Sequence, residues 1–153
     1  MKNKKNLEYR MYGLVPYNIS PIQQGIQYGH AVVEYGLKYF NDRNYKKWAN
    51  RDKTFIILNG GTTNNNHPNI GTLNQHLETL INNKIKLTTF HEPDLGDQLT
   101  AIVFLVDERV FNKDKYKEVQ EYPGDCDWIE ELSTKELKKI VFLREFLSKF
   151  KLS

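Results

Sequence analysis

Dense apolar runs and helically spaced apolar positions alternate along this chain. Residues 8–15 (EYRMYGLV) carry Tyr, Met, Leu and Val with little polarity after Arg10, as a buried strand does, and Pro16 ends the run. In the following segment Ile22, Ile26, Val33 and Leu37 recur at helical spacing, with Ser20 a good N-cap and Pro21 a good first helical residue. Gly25, Gly29 and Gly36 lie in the same segment. Each costs about 0.8–1 kcal/mol relative to Ala inside a helix. Gly25 and Gly29 are four residues apart and share a face, so close approach of that face to a sheet or a ligand is expected to offset the cost.

Residues 41–52 predict a short polar helix or turn anchored by Trp48, and 53–59 (KTFIILN) a second buried strand. Residues 60–71 (GGTTNNNHPNIG) read as a loop. Residues 72–84 place Leu73, Leu77, Leu80 and Ile81 on one helical face, with Thr72 as the cap. Residues 85–90 and 99–106 are the third and fourth strands. An irregular stretch with a Pro123-Gly124 turn follows. The last helix opens on a capping box, Ser133 with Glu136, and offers Leu137, Ile140, Val141, Leu147 and Phe150 as its buried face.

This order predicts an α/β fold: a four-stranded mixed sheet with helices on both faces, plus an extra C-terminal helix, in a single domain spanning 1–153. A right-handed first crossover makes strands one and two parallel. A composition of 39% hydrophobic and 12% aromatic residues supports one core and excludes disorder over most of the length. The net charge of +3 is too mild to point to nucleic acid by itself. Basic residues cluster at Lys2, Lys4 and Lys5 and again from Lys135 to Lys151. On the last helix Lys135, Lys138, Lys139, Arg144 and Lys149 form an outer stripe, read as a solvated face or an RNA contact. A lone Cys126 excludes an internal disulfide and suits a reducing compartment, and no run of about 18 apolar residues exists to span a membrane. The abundance of Asn, Lys and Ile suggests an AT-rich genome, so the cytoplasm of a bacterium or of a phage-infected cell is the expected location.

Candidate chemistry centres on FHEPDLGDQLTAIVFLV, where Glu92, Asp94 and Asp97 crowd a turn between two apolar strands. Helix N-termini favour anions, so Ser20, Gln23 and the backbone N–H groups that open the first helix would hold Glu92 or Asp94 if the turn folds beside them. The competing reading is a solvated turn in which Asp94 satisfies its own backbone. His30 acts as a base if it has a partner and solvent access, and otherwise is a packed histidine. Gln27, one turn earlier, presents its amide to a ligand or serves the structure. The loop Asn59-Gly60-Gly61-Thr62 follows a strand, and its glycines can expose N–H groups to phosphate, but it lacks the Lys of a P-loop and is otherwise a connector. His67, His76 and His91 lack metal-ligand spacing, and Asp125, Cys126 and Asp127 have no second ligand group, so neither metal nor cofactor is expected.

Gln27-Tyr28-Gly29-His30-Ala31, in a Ser-Pro-initiated helix between two strands and followed by the acidic turn, resembles the type II peptidyl-tRNA hydrolase family, whose members carry Gln-x-x-His-Ala. EPDLGDQLTAI falls where that family has an Asp-Ala-Gly turn. The resemblance covers residues 8–107 and leaves 108–153 as an extension. It implies a compact, often homodimeric α/β domain that hydrolyses the ester joining a peptide to the 3′ end of tRNA without a metal. Asp94 would then polarise a water or orient a hydroxyl such as Thr100, with tRNA as the partner. The family's lysines before and at the start of the first helix are replaced here by Asn18, Pro21 and Gln23, and neutral groups stabilise developing negative charge less than cations do. The alternative expectation is a non-catalytic binder of a nucleotide or signal nucleotide, such as a viral sequestering protein. An interaction protein using the C-terminal helix is a third.

Overall fold

The computed structural model describes residues 6–66, 68–117 and 132–152. Strands β1 (Tyr9–Val15), β2 (Thr54–Asn59), β3 (Thr88–Glu92) and β4 (Gln98–Asp107) form one mixed sheet in the order β2-β1-β4-β3. β1 and β2 are parallel, and β4 runs antiparallel to both β1 and β3. The α/β class and the four-stranded mixed sheet are those the sequence predicts. The third strand starts later than its apolar run. Lys84 turns the chain at φ 58° and the Ile85 N–H closes on Leu80 O, so Ile85 joins the core as a helix exit.

Five helices surround the sheet among the described residues: α1 (Pro21–Lys38), α2 (Arg43–Lys47), α3 (Thr72–Asn82), α4 (Glu108–Phe111) and α5 (Thr134–Leu147). α2 continues as a π-helical turn through Trp48–Asp52, and Trp48 is buried as its anchor. Ser20 caps α1, its Oγ accepting from Gln23 N at 3.2 Å, with Pro21 first in the helix. α1 lies over β1, β4 and β3, but not on the face its sequence periodicity suggests. The side against the sheet holds Gln27, Tyr28, Ala31 and Tyr35, while Ile22, Ile26, Val33 and Leu37 point away and are exposed. The sheet selects the side with Tyr28, whose hydroxyl donates to Met11 O at 2.7 Å, a bond an aliphatic stripe cannot make. Gly25 and Gly29 consequently face open space; a Cβ at either position would meet nothing within 4 Å. The expectation that they approach the sheet is therefore incorrect.

α3 and α5 cover the opposite face. α3 begins at Thr72 with Gly71 as its cap and buries Leu73 and Leu80, leaving Ile81 exposed. α5 starts at the expected box: Ser133 Oγ accepts from Glu136 N at 3.1 Å. Its most buried residues are Ile140, Leu143, Arg144 and Phe146; of the expected face, Ile140 is buried, Leu147 and Phe150 pack half-buried against the core, and Leu137 and Val141 are half-buried. Arg144 is no part of a solvated stripe. It is buried and donates from Nε and Nη2 to Arg109 O at 3.0 and 2.6 Å and from Nη2 to Tyr116 O at 2.7 Å. The outermost strand β2 is flanked by Lys151 and Leu152: Asn59 N donates to Lys151 O at 3.0 Å, and Leu58 and Leu152 form a bridge. Such cover blunts an exposed sheet edge. His67, Pro123-Gly124, Asp125, Cys126, Asp127 and the lysines at 2, 4 and 5 lie outside the described residues.

The α3–α5 contact carries a pH dependence. His76 sits edge-on to Phe146 and Phe150 at 5.6 and 4.8 Å, and burial first, then Lys149, pushes its pKa below the usual histidine value. Below the ordinary value of about 6.5 the unfolded chain binds a proton that the folded chain resists, so stability is lost as pH falls through that region. Urea midpoints measured between pH 7.5 and 5 should fall, and His76→Phe should flatten the fall while leaving the midpoint at pH 7.5 close to wild type. An unchanged slope in that variant would remove His76 from this role.

Candidate functional site

The carboxyl ends of β1, β2 and β3 and the start of β4 form one rim of the sheet, and the first helix and the acidic turn meet there. Gln27 is fully buried, and both its amide hydrogens and its oxygen are engaged. Nε2 donates to Glu92 Oε1 at 3.1 Å and to Gln23 Oε1 at 3.2 Å, and the oxygen accepts from Thr100 Oγ1 at 2.7 Å. Unmet amide groups are expensive in an interior, so this bonding fixes the side chain rather than leaving it to rotate.

A β-bulge places Thr100. Pairing between β3 and β4 shifts at Phe90/His91: Phe90 faces Ala101 and His91 faces Leu99, so Thr100 has no cross-strand partner. Regular alternation would send it away from α1 with its even-numbered neighbours. The bulge turns it towards Gln27 instead, with its hydroxyl also 3.2 Å from Phe90 O. Thr100 is fully buried, so its hydroxyl is a structural donor and not an open nucleophile.

The turn itself is a 3-10 turn, Pro93–Leu95, followed by Gly96 and Asp97 at φ 64° and 59°. Asp tolerates this left-handed conformation better than most residues. Asp97 N closes the turn on Glu92 O at 2.9 Å. Of the three carboxylates, Glu92 is half-buried and bonded to Gln27, while Asp94 and Asp97 are exposed. Asp94 makes no side-chain hydrogen bond among the described residues and is not linked to Thr100. His30 is exposed on α1 and lies against Phe90, ring centroids 4.4 Å apart, beside the Gln27–Glu92 link. Asn18 and Ser20 lie on the approach to α1, where Ser20 is occupied as a cap.

The loop after β2 reaches the same rim, but its amides are spent. Gly60 N donates to Val15 O, Gly61 N to Asn59 Oδ1, Thr62 N to Thr72 Oγ1 and Asn64 N to Asn74 Oδ1, all within 3.0 Å. No run of free N–H groups remains there to cradle phosphate. Gly60 is required because a Cβ would sit 2.7 Å from Leu73, and Gly61 because φ is 94°. Asn65, which sequence reasoning did not single out, ties the loop to the acidic turn: its N–H donates to Gln98 Oε1 and its Nδ2 to Asp97 O, both at 3.1 Å. Asn59 borders an open groove of about 440 Å³ on the other flank of α1, shared with Tyr17, Pro21, Gln24 and Gly25. The α1 start, the loop and the turn (residues 16–31, 59–66 and 92–100) contain no Lys or Arg.

A second polar cavity, about 240 Å³, opens at the opposite end of the sheet, lined among others by Tyr9, Asp42, Lys86, Asp107, Arg109 and Lys139. Its charges are internally matched. Lys86 pairs with Asp42, and Arg109 grips Asp107 through Nε and Nη2 at 3.0 and 2.9 Å. Burial, reinforced by Asp107, raises the Tyr9 hydroxyl above its usual range. These residues run from Tyr9 to Lys139, and no local motif announces the cavity. No protein-family model, curated protein or solved structure matches the chain.

Proposed function

We propose that the rim around Gln27 receives the aminoacyl or peptidyl adenosine at the 3′ end of a tRNA, and that it binds this end rather than hydrolysing it. The observation that carries the reading is the meeting of helix start and acidic turn, through Gln27 and Glu92, beside the exposed ring of His30 on a half-buried Phe90. Ligand crevices of open α/β sheets lie outside strand carboxyl ends, as this rim does. A base can stack on such an aromatic pair, while amides and carboxylates take its donors and those of the ribose. The absence of Lys and Arg from the three segments favours a nucleoside end whose phosphates lie elsewhere over a free di- or triphosphate. The same absence, the burial of Thr100 and the isolation of Asp94 weigh against a hydrolytic step.

The test is paired binding and turnover. An RNA minihelix carrying an N-acetylaminoacyl ester is compared with the same RNA ending in a free 3′-OH. The acylated form should bind at least tenfold more tightly, with no ester cleavage above the uncatalysed rate. His30→Ala, which removes an exposed ring, should weaken binding by about tenfold, near the lower end for loss of a stacking contact. Equal affinity for the two RNAs would discard the reading. Turnover abolished by Asp94→Asn would restore the hydrolase instead.

A further inference from the structure

We propose that the cavity of about 240 Å³ at the end of the sheet away from Gln27 binds a small organic monocarboxylate. Two tyrosines line it, Tyr9 from β1 and Tyr35 from α1. Tyr9 is 7% exposed and Tyr35 2%, so both are more than nine-tenths buried. A buried phenol usually finds a hydrogen-bond partner. Tyr28 donates to Met11 O at 2.7 Å, and Tyr116 to Glu108 Oε2 at 3.0 Å. The hydroxyls of Tyr9 and Tyr35 bond to no described residue, yet neither is sealed from solvent. Two unspent hydroxyls in one cavity point to a ligand that uses them.

The surrounding charges narrow its chemistry. Asp42, Asp107 and Glu136 balance Lys86, Arg109 and Lys139 in number but not in pairing. Asp42 is bound to Lys86 and also accepts from the Asn44 and Tyr45 N–H groups. Asp107 accepts from the N–H, Nε and Nη2 of Arg109, and Glu136 lies 3.5 Å from the same guanidinium. One arginine thus takes two carboxylates. Lys139, an exposed residue of α5 on the cavity wall, is left without an ion pair among the described residues. Both oxygens of Asp42 and of Asp107 are engaged, whereas the groups that remain uncommitted, an ammonium and two phenols, can donate. An anion fits them, and one uncommitted cation suits a single negative charge rather than a phosphate dianion. Burial raises both phenols above their usual range, so they stay protonated donors at neutral pH.

Size and lining set the rest. The volume equals that of about eight waters and falls below the ~300 Å³ at which pockets for drug-sized ligands begin, so a nucleotide is too large. Val110, Ile140 and Leu143, all buried, supply an apolar wall. A carboxylate on a short aliphatic or aromatic body satisfies both halves.

Isovalerate and benzoate are the probes, with isovaleramide and benzamide as their uncharged isosteres and inorganic phosphate as the dianion, in calorimetric titrations of the full chain. At least one acid should bind with a dissociation constant below about 1 mM, at least tenfold more tightly than its amide, and phosphate should not displace it. Lys139→Met, at an exposed position, should weaken that binding at least tenfold with an unchanged urea midpoint. Tyr9→Phe and Tyr35→Phe should each weaken it about tenfold, as loss of a hydrogen bond to a charged group does. Both should leave the urea midpoint level or raise it, because these hydroxyls hold nothing in the fold. No binding of either acid, an amide that binds as well, displacement by phosphate, or an affinity indifferent to Lys139→Met or to the phenylalanine variants would overturn the proposal, as would a midpoint that those variants lower.

Discussion

Gly13→Ala should lower the stability of this protein by about 2–3 kcal/mol, at the upper end of what overpacking a well-filled interior usually costs. Gly13 lies in the middle of β1, the strand between β2 and β4, and a Cβ there would stand 2.3 and 2.4 Å from Cδ2 and Cε2 of Tyr28. The ring has little freedom to move aside. Its hydroxyl is held by Met11 O at 2.7 Å, and Phe55 lies beside it with centroids 5.7 Å apart. The gain from replacing a strand glycine by alanine is about 0.5–1 kcal/mol, too small to compensate. In urea the midpoint should drop by about 1–2 M, given slopes of 1–3 kcal/mol per M for small proteins. The coupling is checkable. On a Tyr28→Ala background, itself costly, adding Gly13→Ala should cost almost nothing, because the clash partner has gone. Additive losses would mean that the tight fit of ring against strand is not what requires glycine.

Arg144→Met should cost about 3 kcal/mol. The guanidinium binds two backbone carbonyls, Arg109 O and Tyr116 O, and so fastens α5 to the segment that follows β4. Methionine fills similar space but leaves both carbonyls without this donor, and each buried unmet acceptor is worth about 1–3 kcal/mol. Lysine should recover little, since a single ammonium cannot reproduce the planar fork. Amide exchange in Thr134–Leu147 should speed up more than exchange in β1 or β4. If Arg144→Met stays within 0.5 kcal/mol of wild type, the guanidinium is not the fastening.

Both variants fall where the sequence is least transparent. Strands β1, β2 and β4 were legible because each carries a dense apolar run, whereas β3, TTFHE, has no such run and starts later than its sequence suggests; the caps at Ser20 and Ser133 were legible because their side chains act on residues three positions away. The orientation of α1 was not. Two apolar sides compete for the sheet, and the choice depends on Tyr28 reaching a carbonyl of β1, seventeen residues earlier in the chain. Arg144 reads as a surface cation for the same reason, because its acceptors lie 28 and 35 residues away. At the rim, the acidic turn and Gln27 stood out by composition and motif, and the structure brings them together. The link through Asn65 had no local signal, and the glycine loop that resembles a phosphate cradle is consumed by its own packing.

The irregularity in β4 separates the polar rim from the register of the core. Leu99 opposite His91 and Ala101 opposite Phe90 would remain in phase if Thr100 were absent, and neither layer of the core would change sides. Thr100 is thus a supernumerary residue that the hairpin accommodates without reshuffling its interior. The hydroxyl that orients Gln27 therefore comes from a residue outside the pairing register, and the register of the core does not depend on it.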